Sequence, residues 1–263
     1  MNLDKQDTPY ASFERSTAPP PPEKPRRTPV KTPSVTPYVT YALLGFTMAV
    51  FLAQQVSQLL FGGDIPATLG LKVNGLIAQG QYWRLFTPMF LHGSLLHIGF
   101  NMYALYILGP GLERHFGNWR FLLLYLLSGF AGNVASFMFS EVPSLGSSTA
   151  IFGLLGAEGV FLYANRLVLG GVARRALNNI VFVALINLLI GLSPGIDNWG
   201  HLGGLVGGTL FAWLGGPILS VEGLFPDLSL VDKRELREVV LAGLGVGALF
   251  LFLTAATLYI NFR

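Results

Sequence analysis

The chain has no cysteine, which excludes disulfides and thiolate-held metals. It is poor in charge: Asp, Glu, Lys and Arg make up 12% of its 263 residues, against about 25% in an ordinary soluble domain. Water is therefore not the solvent for most of its surface. Histidine is scarce, with four in all, and none stands in the His-Glu-x-x-His spacing that sets two zinc ligands on one helix face. No metal or other cofactor is expected. A gathered basic face is also missing. The formal charge is +3 and the pI about 9.2, but the basic residues are scattered around apolar runs, which argues against nucleic-acid binding. Nor is there a convincing internal repeat, as a transporter of inverted halves would show.

What the chain does have is apolar length. Hydrophobic residues make up 52% and mean hydropathy is +0.54. Several runs approach the ~20 residues needed to cross ~30 Å of hydrocarbon. Seven spans are expected, at roughly 38–61, 91–111, 118–139, 148–165, 177–193, 200–219 and 238–260. Before them, residues 1–37 hold nine of the sixteen prolines and six Lys/Arg. Such a segment has little to bury and reads as a disordered tail. Its first apolar run starts too late and runs too long for a signal peptide. Its four acids argue against a transit peptide.

Charge sets the expected orientation. The tail, the second loop (Arg114, Arg120), the fourth (Arg166, Arg174, Arg175) and the sixth (Lys233, Arg234, Arg237) carry fourteen cations. The other side carries three, Lys72, Arg84 and Arg263. The excess places the N-terminus in the cytoplasm and the C-terminus outside. The expected fold class is all-α: a polytopic helical membrane bundle with a six-helix core (38–219), followed by a cytoplasmic loop and a seventh span (220–263). In the first outer loop, Trp83 and Arg84 suit the headgroup region.

Polar residues at membrane depth are costly and face a protein interior or a cavity. The stretch FLHGSLLHIGFNMYALYILG carries His92, His97 and Asn101. His97 and Asn101, four apart, share a helix face. Counted up from Glu113 at ~1.5 Å per residue, Asn101 lies ~18 Å above the inner end, and His97 ~6 Å higher. Span four opens with SLGSSTAIFGLLG. Ser148 at its start reads most simply as a helix cap, although a helix start also offers free N–H groups to an oxyanion. From Ser148 to Arg166 is ~27 Å of helix, so Ser148 is expected below the outer hydrocarbon edge. Span six opens with NWGHLGGLVGGTLFAWLGG, with His201 in its first turn and Gly204 and Gly208 at small-xxx-small spacing. Such spacing lets helices approach closely, close enough to bring a serine and a histidine together. A serine needs a base to become nucleophilic, histidine suits that work, and Asn101 and His97 are candidate donors to an oxyanion.

In these residues the sequence resembles the rhomboid family of intramembrane serine proteases, over residues 38 to about 220. Trp83-Arg84 resemble its first-loop Trp-Arg motif. His97 and Asn101 resemble its His-x-x-x-Asn pair, with His92 at another position where the family often has histidine. Glu113 resembles the acid that ends that span. Gly146 to Thr149 resemble Gly-x-Ser-Gly, and His201 with the glycines after it resembles the family's base and its glycine-rich helix. The resemblance implies a serine endopeptidase cutting in or near transmembrane segments of other proteins, through a Ser148–His201 dyad and an acyl-enzyme. It implies no cofactor, and a place in the lipid bilayer of the cell membrane. It also suggests an aromatic under the base, for which Phe152 is the candidate; core packing is the alternative. Thr149 departs from the motif glycine and is expected to crowd the oxyanion-binding backbone. Asp197 reads as a loop residue, and Glu158, too far from Ser148 for chemistry, as a structural contact. The rival reading is a catalytically inactive relative that binds membrane clients.

Overall fold

The computed structural model describes residues 30–31 and 35–262. The expectation for the tail therefore falls largely outside the described residues. In chain order, β1 (Val30–Lys31) precedes α1 (Tyr38–Phe61) and the short α2 (Ile65–Gly70) and α3 (Asn74–Ala78). Two 3-10 turns follow at Tyr82–Leu85 and Thr87–Phe90. Then come α4 (Leu95–Phe116), α5 (Asn118–Phe139), α6 (Ser148–Ala164), α7 (Arg166–Leu169), α8 (Gly171–Ile190) and α9 (Asn198–Gly215). The hairpin β2 (Leu219–Leu224) and β3 (Asp227–Asp232) leads to α10 (Leu236–Asn261).

Among the described residues, α1, α4, α5, α8 and α10 are long and apolar enough to cross a membrane, and α6 is a shorter apolar helix. Helix boundaries move by up to six residues from those expected. The largest shift is in α8, which begins at Gly171 rather than 177. Helix α4 starts at Leu95 because Ser94 caps it, accepting from His97 N at 3.2 Å. It then runs through Pro110 to Phe116.

The helical membrane bundle is as expected, and it carries one small addition. A small sheet of order β1-β3-β2 lies at the end of the bundle opposite Ser148, the inner end, with the Ser148 end the outer. Its hairpin takes the place of the expected sixth loop. Val30–Lys31, assigned to a disordered tail, pairs in parallel with β3. The hairpin is tied to the bundle by Arg120 Nη1–Asp232 Oδ2 at 2.9 Å and by Asn165. Asn165 is buried where α6 ends; its Nδ2 donates to Phe161 O (2.8 Å) and Pro217 O (3.0 Å), and its Oδ1 accepts from Leu219 N (2.6 Å). One side chain thus joins the inner ends of α6 and α9.

The core forms where α5, α6 and α9 meet. A Cβ added at Gly204 would strike the carbonyl of Thr149, and one at Gly208 the carbonyl of Gly153. Without side chains there, the backbones of α6 and α9 touch. Glu113 is fully buried and serves α1. Pro37 offers α1 no side-chain cap, so Glu113 accepts from Val39 N (2.8 Å), Thr40 N (2.7 Å) and Thr40 Oγ1 (2.7 Å). A carboxylate among orphan N–H groups at a helix start is favoured.

Candidate active site

Ser148 is the first residue of α6, and its hydroxyl is not a cap. Ser147 holds the N-cap position and makes no side-chain cap bond. Its hydroxyl turns instead to His92 Nε2, 3.2 Å away. The chain reaches this start through Gly146 at φ 131°, where a side chain would be strained. An added Cβ there would also lie 2.7 Å from His97 Nε2 and 3.7 Å from Ser148 Oγ. The turn leaves Ser148 Oγ free to meet His201 Nε2 at 3.0 Å.

His201 occupies the first turn of α9. Asp197 caps that helix, accepting from Gly200 N at 3.0 Å, and its other oxygen accepts from Ser136 Oγ. That carboxylate is thereby engaged away from the imidazole. Among the described residues, His201 Nδ1 has no hydrogen-bond partner. The Phe152 ring stacks on the imidazole, centroids 4.3 Å apart and 13° from parallel. The face shared by Ser148 and Phe152 on α6 thus meets both edge and face of one ring.

A cavity of about 600 Å³ opens above the pair, lined by Ser148, His201, His97, Asn133, Ser140 and the run Val142 to Gly146. His97 reaches it, and its ring meets that of His92 at 5.1 Å. Asn101 lies one turn deeper, on the same face as expected. Its amide donates to His97 O at 3.1 Å, and it is not part of the cavity lining. His92 lies behind Ser147. Gln54 of α1 grips the His92 backbone in both directions, donating to its carbonyl (3.2 Å) and accepting from its N–H (3.0 Å). The first intrahelical bond of α6 is Ile151 N to Ser147 O, 3.0 Å, so the N–H groups of Ser148 and Thr149 have no helical acceptor.

Four sequence expectations change or gain a cause. Arg84 does not reach for headgroups. It is buried, and its guanidinium donates to Leu71 O (2.7 Å), Thr68 O (2.9 Å) and Gln81 Oε1 (2.7 Å), because the end of α2 leaves carbonyls to be met. Trp83 is half exposed, with its indole N–H on Leu69 O at 2.9 Å. Thr149 is seated against glycines. An added Cβ at Gly132 would fall 2.6 Å from its Cβ, and one at Gly200 3.0 Å from its Cγ2, so α5 and α9 make room for the extra side chain. Asp197 is a helix cap as well as a loop residue. Sequence reasoning missed Asn133, whose Nδ2 donates to Leu85 O at 3.0 Å. An asparagine in the apolar third span was the available signal. It also missed Ser147 and Gln54, which take their meaning from tertiary contacts.

A family model described as the Rhomboid domain matches residues 79–218. The chain is 39% identical over 212 residues to the Rhomboid protease GluP of Bacillus subtilis (strain 168), covering 80% of this chain and 40% of that protein. It is 38% identical over 151 residues to RHOMBOID-like protein 1 of Arabidopsis thaliana, covering 55% and 37%. With the mitochondrial RHOMBOID-like protein 6 of the same plant it shares 41% over 140 residues, covering 52% and 45%. It thus spans less than half the length of these relatives. Its apolar helices make it an integral membrane protein. With just over half of its residues inside the family model, the chain belongs to the rhomboid family.

Proposed function

We propose that the chain is an intramembrane serine endopeptidase that cuts other proteins in or near their transmembrane segments. One observation carries the reading: Ser148 Oγ and His201 Nε2 stand 3.0 Å apart at the floor of the cavity. A relative named as a rhomboid protease supports it.

The chemistry follows from the atoms present. With its proton on Nδ1, neutral His201 accepts the Ser148 hydroxyl proton at Nε2 while Oγ bonds to the substrate carbonyl carbon. The carbonyl oxygen becomes an oxyanion. The Ser148 and Thr149 N–H groups and His97 are its donors, with Asn101 holding the turn of α4 that carries His97. Phe152 offers its ring face to the imidazolium. His201 then gives its proton to the leaving amine as the C–N bond breaks, leaving an acyl-enzyme on Ser148. Water, deprotonated by His201, hydrolyses that ester and restores the serine. No third carboxylate is assigned, since Asp197 faces Gly200 N and Ser136. Following the charge asymmetry, the site faces the outside of the cell membrane and the N-terminus the cytoplasm.

The test is cleavage of a helical membrane substrate by the purified protein beside Ser148→Ala and His201→Ala. Wild type cuts and both variants do not. Equal cleavage by the Ser148→Ala protein overturns the assignment.

A further inference from the structure

Lys72 carries a charge into a place where charge is costly. It lies between α2 and α3, and none of its surface is exposed; lysine is almost never fully buried unless paired. Its Nζ donates to Ser140 O at 2.7 Å and Ser136 O at 3.3 Å. Asn74, also buried, adds Nδ2 to Phe137 O (3.2 Å), Ser140 O (3.1 Å) and Glu141 Oε2 (3.3 Å). All but the last are carbonyls at the end of α5 and its C-cap; Ser136 O also accepts from Ser140 N at 2.9 Å, and the C-terminal end of a helix is where a cation is favoured.

The backbone of Lys72 is engaged as well. Lys72 N donates to Ser144 O (2.9 Å) and Ser144 N to Lys72 O (3.2 Å). One residue therefore grips the segment after α5 twice, by side chain at Ser140 and by main chain at Ser144. Ser140 and the run Val142 to Gly146 form one wall of the cavity over Ser148 and His201. The polar contacts continue inward: Ser144 Oγ lies 3.3 Å from Ser136 Oγ, which donates to Asp197, the cap of the helix bearing His201.

We propose that Lys72, with Asn74, is a positioning residue for the substrate: from the first outer loop, it holds residues 140–146 as the fixed wall along which a long substrate lies. The proposal rests on the protease reading above. Lys72 touches neither Ser148 nor His201, so its action is on the wall and not on the nucleophile. A transmembrane substrate needs both wall and dyad. A small electrophile that reacts with Ser148 needs the dyad alone.

The experiment uses full-length protein in nanodiscs, as wild type, Lys72→Gln and Asn74→Ala. Three quantities are read: kcat and KM on a transmembrane substrate, the rate of Ser148 labelling by a small fluorophosphonate, and hydrogen exchange by segment. In Lys72→Gln, kcat/KM falls about tenfold or more, chiefly through KM, while labelling stays within about twofold. Exchange quickens at 140–146 and is unchanged in α6 and α9. The Asn74→Ala protein, which keeps the lysine, shows the same pattern more weakly and serves alone if Lys72→Gln does not fold. Labelling that falls in step with cleavage overturns the proposal, as does exchange that rises across the whole bundle or does not rise at 140–146. A wild-type protein that neither cuts nor labels defeats the protease reading instead, and the exchange data then judge the wall by themselves.

Discussion

Helices α6 and α9 run side by side and end in opposite ways. At their inner ends Asn165 has every polar atom engaged, joining α6 to the residues that follow α9. At their outer ends Ser148 and His201 meet through one hydrogen bond, and His201 Nδ1 has no partner among the described residues. A satisfied buried cluster fixes a structure, whereas unused hydrogen-bonding capacity beside a cavity is what a reacting group needs. The same pair of helices separates the two duties by about the length of α6. Between them lies a seam of bare backbone, which couples the ends.

That contrast can be broken at the seam. Gly208→Val forces a side chain onto the Gly153 backbone, and both ends should fail together. The expected loss exceeds ~4 kcal/mol, read as missing folded protein in a size-exclusion thermal assay. Substitution at one end should separate the duties. Asn165→Ala leaves a buried carbonyl and an N–H unmet and should cost about 2–4 kcal/mol, seen in thermal melts, while the protein that remains folded still labels at Ser148. Ser148→Ala should leave the melt within ~1 kcal/mol of wild type. A smaller effect tests the neighbour of the outer end: Asn101→Ala should lower kcat about tenfold with little change in KM. An unchanged kcat removes Asn101 from any part in the transition state.

The last expected effect concerns pH. Burial pushes the Lys72 ammonium down to about 8, with Asp197 and Glu141 opposing, against 10.5 for a free lysine. Between those values the unfolded chain holds a proton that the folded chain lacks. Stability contributed by this group therefore rises with pH across that window and is absent below it, with ~3 kcal/mol as the upper bound for a shift of that size. Melting curves should show the rise in wild type and lose it in Lys72→Met.

Much of this was legible in the sequence, for a physical reason. Hydropathy exposes spans because lipid-facing residues must be apolar whatever they pack against. Ser148 and His201 stood out because they are polar residues at the ends of apolar spans, and Gly204 because it and Gly208 stand four apart. The rest depends on three-dimensional partners. Lys72 entered the reading as one more outer cation, since nothing local to it says that the carbonyls of α5 lie overhead. Arg84 was misplaced for the same reason. Pro37 gives no hint that its helix is capped by Glu113, more than seventy residues away. The β2–β3 hairpin was legible in principle: LSVEGLFPDLSLVD alternates and holds a turn. Its flanking charges drew it into the loop count. Two residues of β1 are too few for any periodic signal.

Helix α6 has 17 residues where α4 and α5 have 22. At ~1.5 Å per residue it is more than a turn shorter than its neighbours. Surrounded by protein rather than lipid, it has no need to match the bilayer's thickness. A cavity of about 600 Å³ lies at its Ser148 end, a well that the molecule carries within itself. Helix length then sets how far the serine stands along the bundle: one added turn would move it ~5 Å along the helix axis, and under the proposed function the bond it could reach would move with it.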